Sequence, residues 1–205
     1  MIKSDREYRN LTLSAAEGEE KVVTGYASTF NEPYTLYEDD EIIIREQVDA
    51  DAFRNTDMND VIMQYDHQGR VFARKSNGTL EVLPDDKGLL INANLGGTEL
   101  GRQLYEEIRG GYTNKMSFGF TVEDDDRLET KEGGKTVVLR TIKAVRKLYD
   151  VSAVSLPAND ATSISVRSFS DGVIEEVRAE RLAAEALELE RRKALIKARI
   201  LGGTK

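Results

Sequence analysis

Between Lys21 and about Arg167, apolar residues come in short runs rich in β-branched and aromatic side chains, separated by turn-forming residues. The runs KVVTGYASTF (21–30), EIIIREQV (41–48), DVIMQYDH (60–67), GTLEVLP (78–84), GLLINANL (88–95), KMSFGFTV (115–122), KTVVLRTIKAVRK (135–147) and YDVSAVSL (149–156) are predicted as strands. DDKG at 85–88 and EGGK at 132–135 supply the Gly and Asp that tight hairpins need, so antiparallel pairing is expected. The gaps are too short for repeated helical crossovers, which favours a closed or nearly closed antiparallel β-barrel over a parallel sheet.

Two segments change period. VDADAFRNT (48–56) reads as a short helix with Asp49 as its N-cap, and TELGRQLYEEIRGG (98–111) as a helix capped by Thr98, stopped by Gly110 and apolar along Leu100, Leu104 and Ile108. Both are expected as lids or plugs on the barrel. After SFSDG (168–172) the pattern becomes that of one long exposed helix. Residues 175–199 carry six acidic and seven basic side chains among Ala and Leu, with Glu188 and Arg192 in the favourable i, i+4 order and an apolar stripe interrupted by Lys193.

Composition narrows the chemistry. A chain of 205 residues suits one domain with appendages. With no cysteine and a single histidine, thiolate nucleophiles, disulfides and Cys-ligated metals are excluded, and no metal or cofactor is implied. Lysine and arginine total 29 against 37 acidic residues, a net charge of −8 that opposes capture of nucleic acid. MIKSDREYRN lacks the apolar stretch of a signal peptide, and no run approaches the length of a membrane span, so a soluble cytosolic chain without membrane contact is expected.

Without cysteine, a serine hydroxyl is the natural nucleophile, and His67 is the one histidine able to act as its base. Taken alone, His67 reads as an ordinary structural residue. Ser117 stands out inside the apolar run KMSFGFTV, where Gly119 marks close backbone approach. Alternation equally allows Ser117 to sit on a solvated face opposite Met116, Phe118 and Phe120. An acceptor is needed to orient the imidazole. Asp66 is poorly placed as a strand neighbour of His67, whereas Asp150 is embedded in LYDVSAVSL and is either such a partner or a rim residue at a strand start. One conflict stands: His67 shares its strand face with Val61, Met63 and Tyr65, but Ser117 shares the polar face with Lys115 and Thr121. A bulge near Asp66, or a strand end before Gly69, would remove it.

In order, VIMQYDHQ, GYTNKMSFGF and LYDVSAVSLPANDAT resemble the caudovirus prohead protease family, the HK97-type capsid maturation proteases of tailed phages, related in fold to herpesvirus assemblins. The likeness spans roughly residues 20–167. It implies a serine endopeptidase with His67 as base, Ser117 as nucleophile and Asp150 as third member, a position that is histidine in the herpesvirus relatives. It divides the chain into a flexible tail (1–20), a protease domain (21–168) and a helical extension (169–205) open to removal by self-cleavage. Its implied partners are the major capsid protein with its scaffold extension and the chain itself, with a homodimer left open. Its implied location is the immature capsid in the host cytoplasm. Oxyanion donors are expected near PAND (157–160). The rival readings are a noncatalytic capsid-assembly or partner-binding module on the same scaffold, in which Ser117 is dispensable, and a carbohydrate- or peptide-binding barrel, which the absence of tryptophan weakens.

Overall fold

The computed structural model describes residues 7–15, 20–155 and 164–202. Ten strands form the described sheet: β1 (Glu7–Ala15), β2 (Val22–Thr29), β3 (Tyr34–Glu38), β4 (Ile42–Val48), β5 (Ile62–Tyr65), β6 (Gln68–Arg74), β7 (Leu80–Pro84), β8 (Gly88–Asn94), β9 (Lys115–Glu132) and β10 (Lys135–Val154). Helix α1 spans Glu99–Arg109 and α2 spans Ile164–Gly202. The chain divides into two compact units, Met1–Arg167 and Ser168–Lys205.

The sheet corrects the expected antiparallel barrel. Its hydrogen-bonded order is β3-β4-β10-β9-β1-β2-β8-β7, an open path, with β5 and then β6 branching from β10. It is also mixed, because β4 and β5 both run parallel to β10. The cause is the length of β10. A strand of 20 residues, rising about 3.3 Å per residue, accommodates two short strands end to end on one edge: β4 along Thr136–Ile142 and β5 along Asp150–Ala153. The sequence pattern had divided β10 into two strands. Bulges between Ile142 and Asp150 shift its register against β9 and blur the alternation.

Both predicted tight turns are present. Asp85 closes β7 to β8 by accepting from the amides of Lys87 (2.8 Å) and Gly88 (2.9 Å). Gly133 and Gly134, at φ 57° and 89°, join β9 to β10 in the left-handed conformation that glycine adopts without steric cost. Three strands had no counterpart in the sequence reading: β3, β6 and β1. Residues 7–15 of the predicted tail form β1, an interior strand that pairs with β9 on one side and β2 on the other.

The predicted helix over 48–56 is instead a series of turns. Asp49 caps it locally by accepting from the amide of Asp51 at 2.9 Å, an Asx turn that does not propagate. In α1, Thr98 accepts from Gly101 N at 3.0 Å and Gly110 ends the helix, as predicted. Its buried face, however, runs through Gly101, Leu104, Tyr105 and Ile108, while Leu100 is 41% exposed. A Cβ on Gly101 would lie 2.3 Å from the Leu95 carbonyl oxygen, so the bare glycine lets the helix rest on that backbone and rotates the predicted face. The core joins residues of β2, β5, β8, β9 and β10, with Phe53, Phe118 and Phe120 among its largest buried side chains.

An ion cluster braces the sheet. The guanidinium of Arg140 on β10, 5% exposed, donates to Glu7 of β1 (2.8 and 3.1 Å), Glu46 of β4 (2.9 Å) and Asp125 of β9. Burial opposes its charge, but the surrounding carboxylates outweigh that effect and raise its pKa above the ordinary arginine value. Described by itself, α2 carries ion pairs Arg181–Glu185 (3.1 Å), Glu188–Arg192 (2.9 Å) and Glu190–Lys193 (2.9 Å).

Candidate active site

Position 67 resolves the conflict of faces. β5 ends at Tyr65 and β6 begins at Gln68, with Tyr65 and Gln68 paired, so Asp66 and His67 form a two-residue hairpin loop. Both have positive φ, 49° and 58°, the pair of left-handed residues that a type I′ turn requires. Aspartate tolerates that region because its side chain can satisfy nearby backbone. Here Asp66 Oδ1 accepts from Ser155 N at 2.9 Å, the Ser155 hydroxyl lies 2.9 Å from Asp66 Oδ2, and Asp66 N donates to the Ala153 carbonyl at 2.9 Å. The turn is thereby tied to the end of β10. The strand end at Tyr65, preceded by a register shift between Met63 and Tyr65, frees His67 from the apolar face of β5.

The hairpin is held at its other end as well. Arg74 on β6 grips Asp60, just before β5, with Nε at 2.8 and 3.0 Å from the two carboxylate oxygens and a further bond from Nη2. Hydrogen bonds from Arg74 and then Ser76 hold the Asp60 carboxyl far below the usual carboxylate range. Lys147 on β10 likewise lowers the pKa of Asp57, chiefly through a side-chain hydrogen bond.

From this turn the His67 ring reaches back to β10, where Nδ1 lies 2.5 Å from Asp150 Oδ1. With Asp150 in its carboxylate form, which only accepts, this contact takes the Nδ1 proton and leaves Nε2 as the accepting nitrogen. Asp150 is 1% exposed and occupies the interior of β10, which rules out the rim position. A second donor, Ser152 Oγ, binds the same oxygen at 2.9 Å, and Ser152 is fully buried.

Register brings Ser117 to this group. Ser117 on β9 is directly opposite Ser152 on β10, and Gly119 is opposite Asp150. Cross-strand partners project to the same side, with Cβ atoms about 4.5–5.5 Å apart, and Asp150 and Ser152 share that side because they are two apart on one strand. Ser117, Asp150 and Ser152 therefore project to one face, the face on which the His67 ring is bonded to Asp150, and the Ser117 hydroxyl makes no hydrogen bond to that ring. The other face carries Met116 and Phe118 against Val151 and Ala153. Ser117 is 1% exposed, so the solvated-face alternative fails: both sides of β9 are covered here. Its Oγ has no hydrogen-bond partner among the described residues, and neither has Thr121 Oγ1 further along the strand.

The arrangement brings a buried hydroxyl, an imidazole and a buried carboxylate to one face of the sheet, the three kinds of group that a serine nucleophile and its base require. A profile described as caudovirus prohead serine protease matches residues 9–176, most of the chain. The chain belongs to the caudovirus prohead serine protease family. The match starts inside β1 and reaches into α2, so it is wider at both ends than the 20–167 expected from the motifs. The prohead protease of Enterobacteria phage HK97 is 27% identical over 161 residues, which is 77% of this chain and 64% of that protein's length. The capsid assembly protease gp21 of bacteriophage T4 aligns with 74% of this chain and 99% of its own at 11% identity and a TM-score of 0.40, a likeness too loose to place any residue.

One residue of this group, Ser152, escaped the sequence reading, while the rejection of Asp66 as acceptor for His67 is borne out by its bonds to Ser155. Ser152 was legible in principle, since YDVSAV puts it two residues from Asp150 on a strand and hence on the same face. Asp66 was dismissed as an acceptor for His67, and its actual partner, Ser155, is remote in sequence. The expected oxyanion segment 157–160 lies outside the described residues.

Proposed function

We propose that this chain is a serine endopeptidase of phage capsid maturation, with Ser117 as nucleophile, His67 as general base and Asp150 as the carboxylate that orients the imidazole. The observation that carries the reading is the 2.5 Å contact between His67 Nδ1 and Asp150 Oδ1, on the face that also holds the unpartnered Ser117 hydroxyl. Ser117 Oγ attacks the scissile carbonyl as His67 Nε2 takes its proton. The imidazolium formed is stabilised by Asp150 and returns the proton to the leaving amine, after which water, activated by the same nitrogen, releases the acyl group. The substrates are the scaffold or capsid-subunit extension and the chain's own tails, cut inside the immature capsid in the host cytoplasm, and residues 169–205 are an extension removed in the process.

The family membership and the HK97 relative support that substrate class. The test is coexpression of the full chain with its capsid subunit, following cleavage by intact mass. Wild type is expected to trim the subunit and itself, and Ser117→Ala and His67→Ala to leave both whole. Cleavage by either variant at the wild-type rate would remove the triad. Assembly that proceeds uncut and unimpaired with either residue replaced would instead favour the noncatalytic module.

A further inference from the structure

Helix α2 turns an apolar seam to solvent. Leu182, Leu189 and Ile196 recur at a spacing of seven and are 67%, 54% and 58% exposed, and the intervening heptad positions are the exposed Ala179, Ala186 and Lys193. Charge along the helix is segregated: residues 175–190 carry six acids and two bases, whereas 191–199 carry five bases and no acid. We propose that this seam docks a second copy of the chain, the two α2 helices pairing antiparallel.

Size and charge select the occupant and its direction. In antiparallel register each small residue meets a large one: Ala179 packs on the partner's Ile196 and Ala186 on the partner's Leu189, while Lys193 lies over the partner's Leu182 with its ammonium extended towards the partner's acidic half. Glu185 on the flank then faces the partner's Arg192. In parallel register the layers become alanine on alanine, Lys193 meets the partner's Lys193, and Glu185 faces the partner's Glu190. The parallel pair is underpacked and repelled at every charged position, so complementarity exists for the reversed copy of this helix. The argument uses only α2 and does not depend on the proposed activity.

The absence of cysteine makes the geometry directly testable in the full chain, with intact mass confirming that α2 is retained. Ala179→Cys mixed with Ile196→Cys should form a disulfide-linked heterodimer under mild oxidation. In a parallel pair those positions stand about 26 Å apart, far beyond the roughly 7 Å Cα limit for a disulfide. Preferential linking of either variant to itself overturns the antiparallel pairing. Sedimentation adds a second measurement: Glu185→Lys and Arg192→Glu should each weaken dimerisation by roughly tenfold, and an equimolar mixture of the two should restore wild-type affinity. The helix's own ion pairs are equally disturbed in the mixture, so restoration reports the contact between chains. A mixture as weak as its components, or a wild-type chain monomeric up to roughly 0.1 mM, refutes the proposal and leaves the seam to a different protein.

Discussion

Replacing Ser117 by alanine should abolish the proposed cleavage and stabilise the protein. Ser117 Oγ is buried at 1% exposure with no hydrogen-bond partner among the described residues, whereas in the unfolded chain water satisfies it. A buried unsatisfied hydroxyl costs about 1–3 kcal/mol. Its removal recovers most of that cost, less the small packing loss from deleting one oxygen, so a net gain of about 1 kcal/mol is expected. For a chain of this size that corresponds to a rise in melting temperature of about 2–4 °C. Urea denaturation of wild type and variant measures it, with intact mass confirming that neither chain has been cut. Thr121→Val is the matched control, because Thr121 Oγ1 is also buried without a hydrogen-bond partner among the described residues but has no assigned chemistry. It should gain a similar amount and retain cleavage. A loss of about 1 kcal/mol or more in Ser117→Ala would mean that the hydroxyl is bonded in the folded protein and that the account of a hydroxyl held ready for its base is wrong.

Asp150→Asn keeps the shape but presents an amide able to donate to His67 Nδ1, which shifts the imidazole proton to Nε2; turnover should fall by up to about 10⁴, and a loss below about threefold removes Asp150 from the mechanism. Ser152→Ala deletes one of the two bonds to Asp150 Oδ1 and should reduce turnover by roughly tenfold, equivalent to about 1.4 kcal/mol, with KM unchanged; a pure KM effect in steady-state kinetics contradicts an orienting role. Arg140→Ala removes the guanidinium that bonds the buried Glu7 and Glu46 and should cost about 3–5 kcal/mol in urea denaturation, whereas a near-neutral result would show that the cluster does not brace the sheet. Asp49, Asp57, Asp60 and Asp85 all have lowered carboxyl pKa values, from bonds led by Lys143, Lys147, Arg74 and Tyr26 respectively. Their contribution is complete above the unfolded carboxylate value near about 4 and is lost as pH falls below it. The urea midpoint should hold from neutrality to about pH 5 and then drop, with a shallower drop in Asp60→Asn; a midpoint that is unchanged or rises on acidification refutes this.

How much of the site was readable depends on the range over which each residue acts. Ser117 and Asp150 lie within strongly patterned strands, which made both candidates, and the family resemblance chose between their alternatives. His67 was noticed because it has no rival in the composition, but its direction depends on a two-residue loop with two left-handed residues, and Asp-His is a weak signal for such a turn beside Asn-Gly or Asp-Gly. β3 is short and β6 is mostly exposed, and β1 takes its β9 partners from residues far along the chain, which no local pattern encodes.

Sequence alone was enough for the mainly β character, the Gly-rich and Asp-anchored hairpins, the capped helix α1, the long charged α2 and the identity of the three candidate residues. The elements follow from interactions within a few positions, through side-chain alternation, backbone conformation and capping, whereas the three candidate residues were joined by the resemblance to the prohead protease family. Tertiary structure decided that the sheet is mixed and open, that residues 7–15 are an interior strand, and that His67 meets Asp150 across 83 positions while Ser117 lies opposite Ser152. Strand order and register arise from many weak contacts between distant segments. Until those contacts bring β5, β10 and β9 side by side, a histidine, a serine and an aspartate share a chain but not a site.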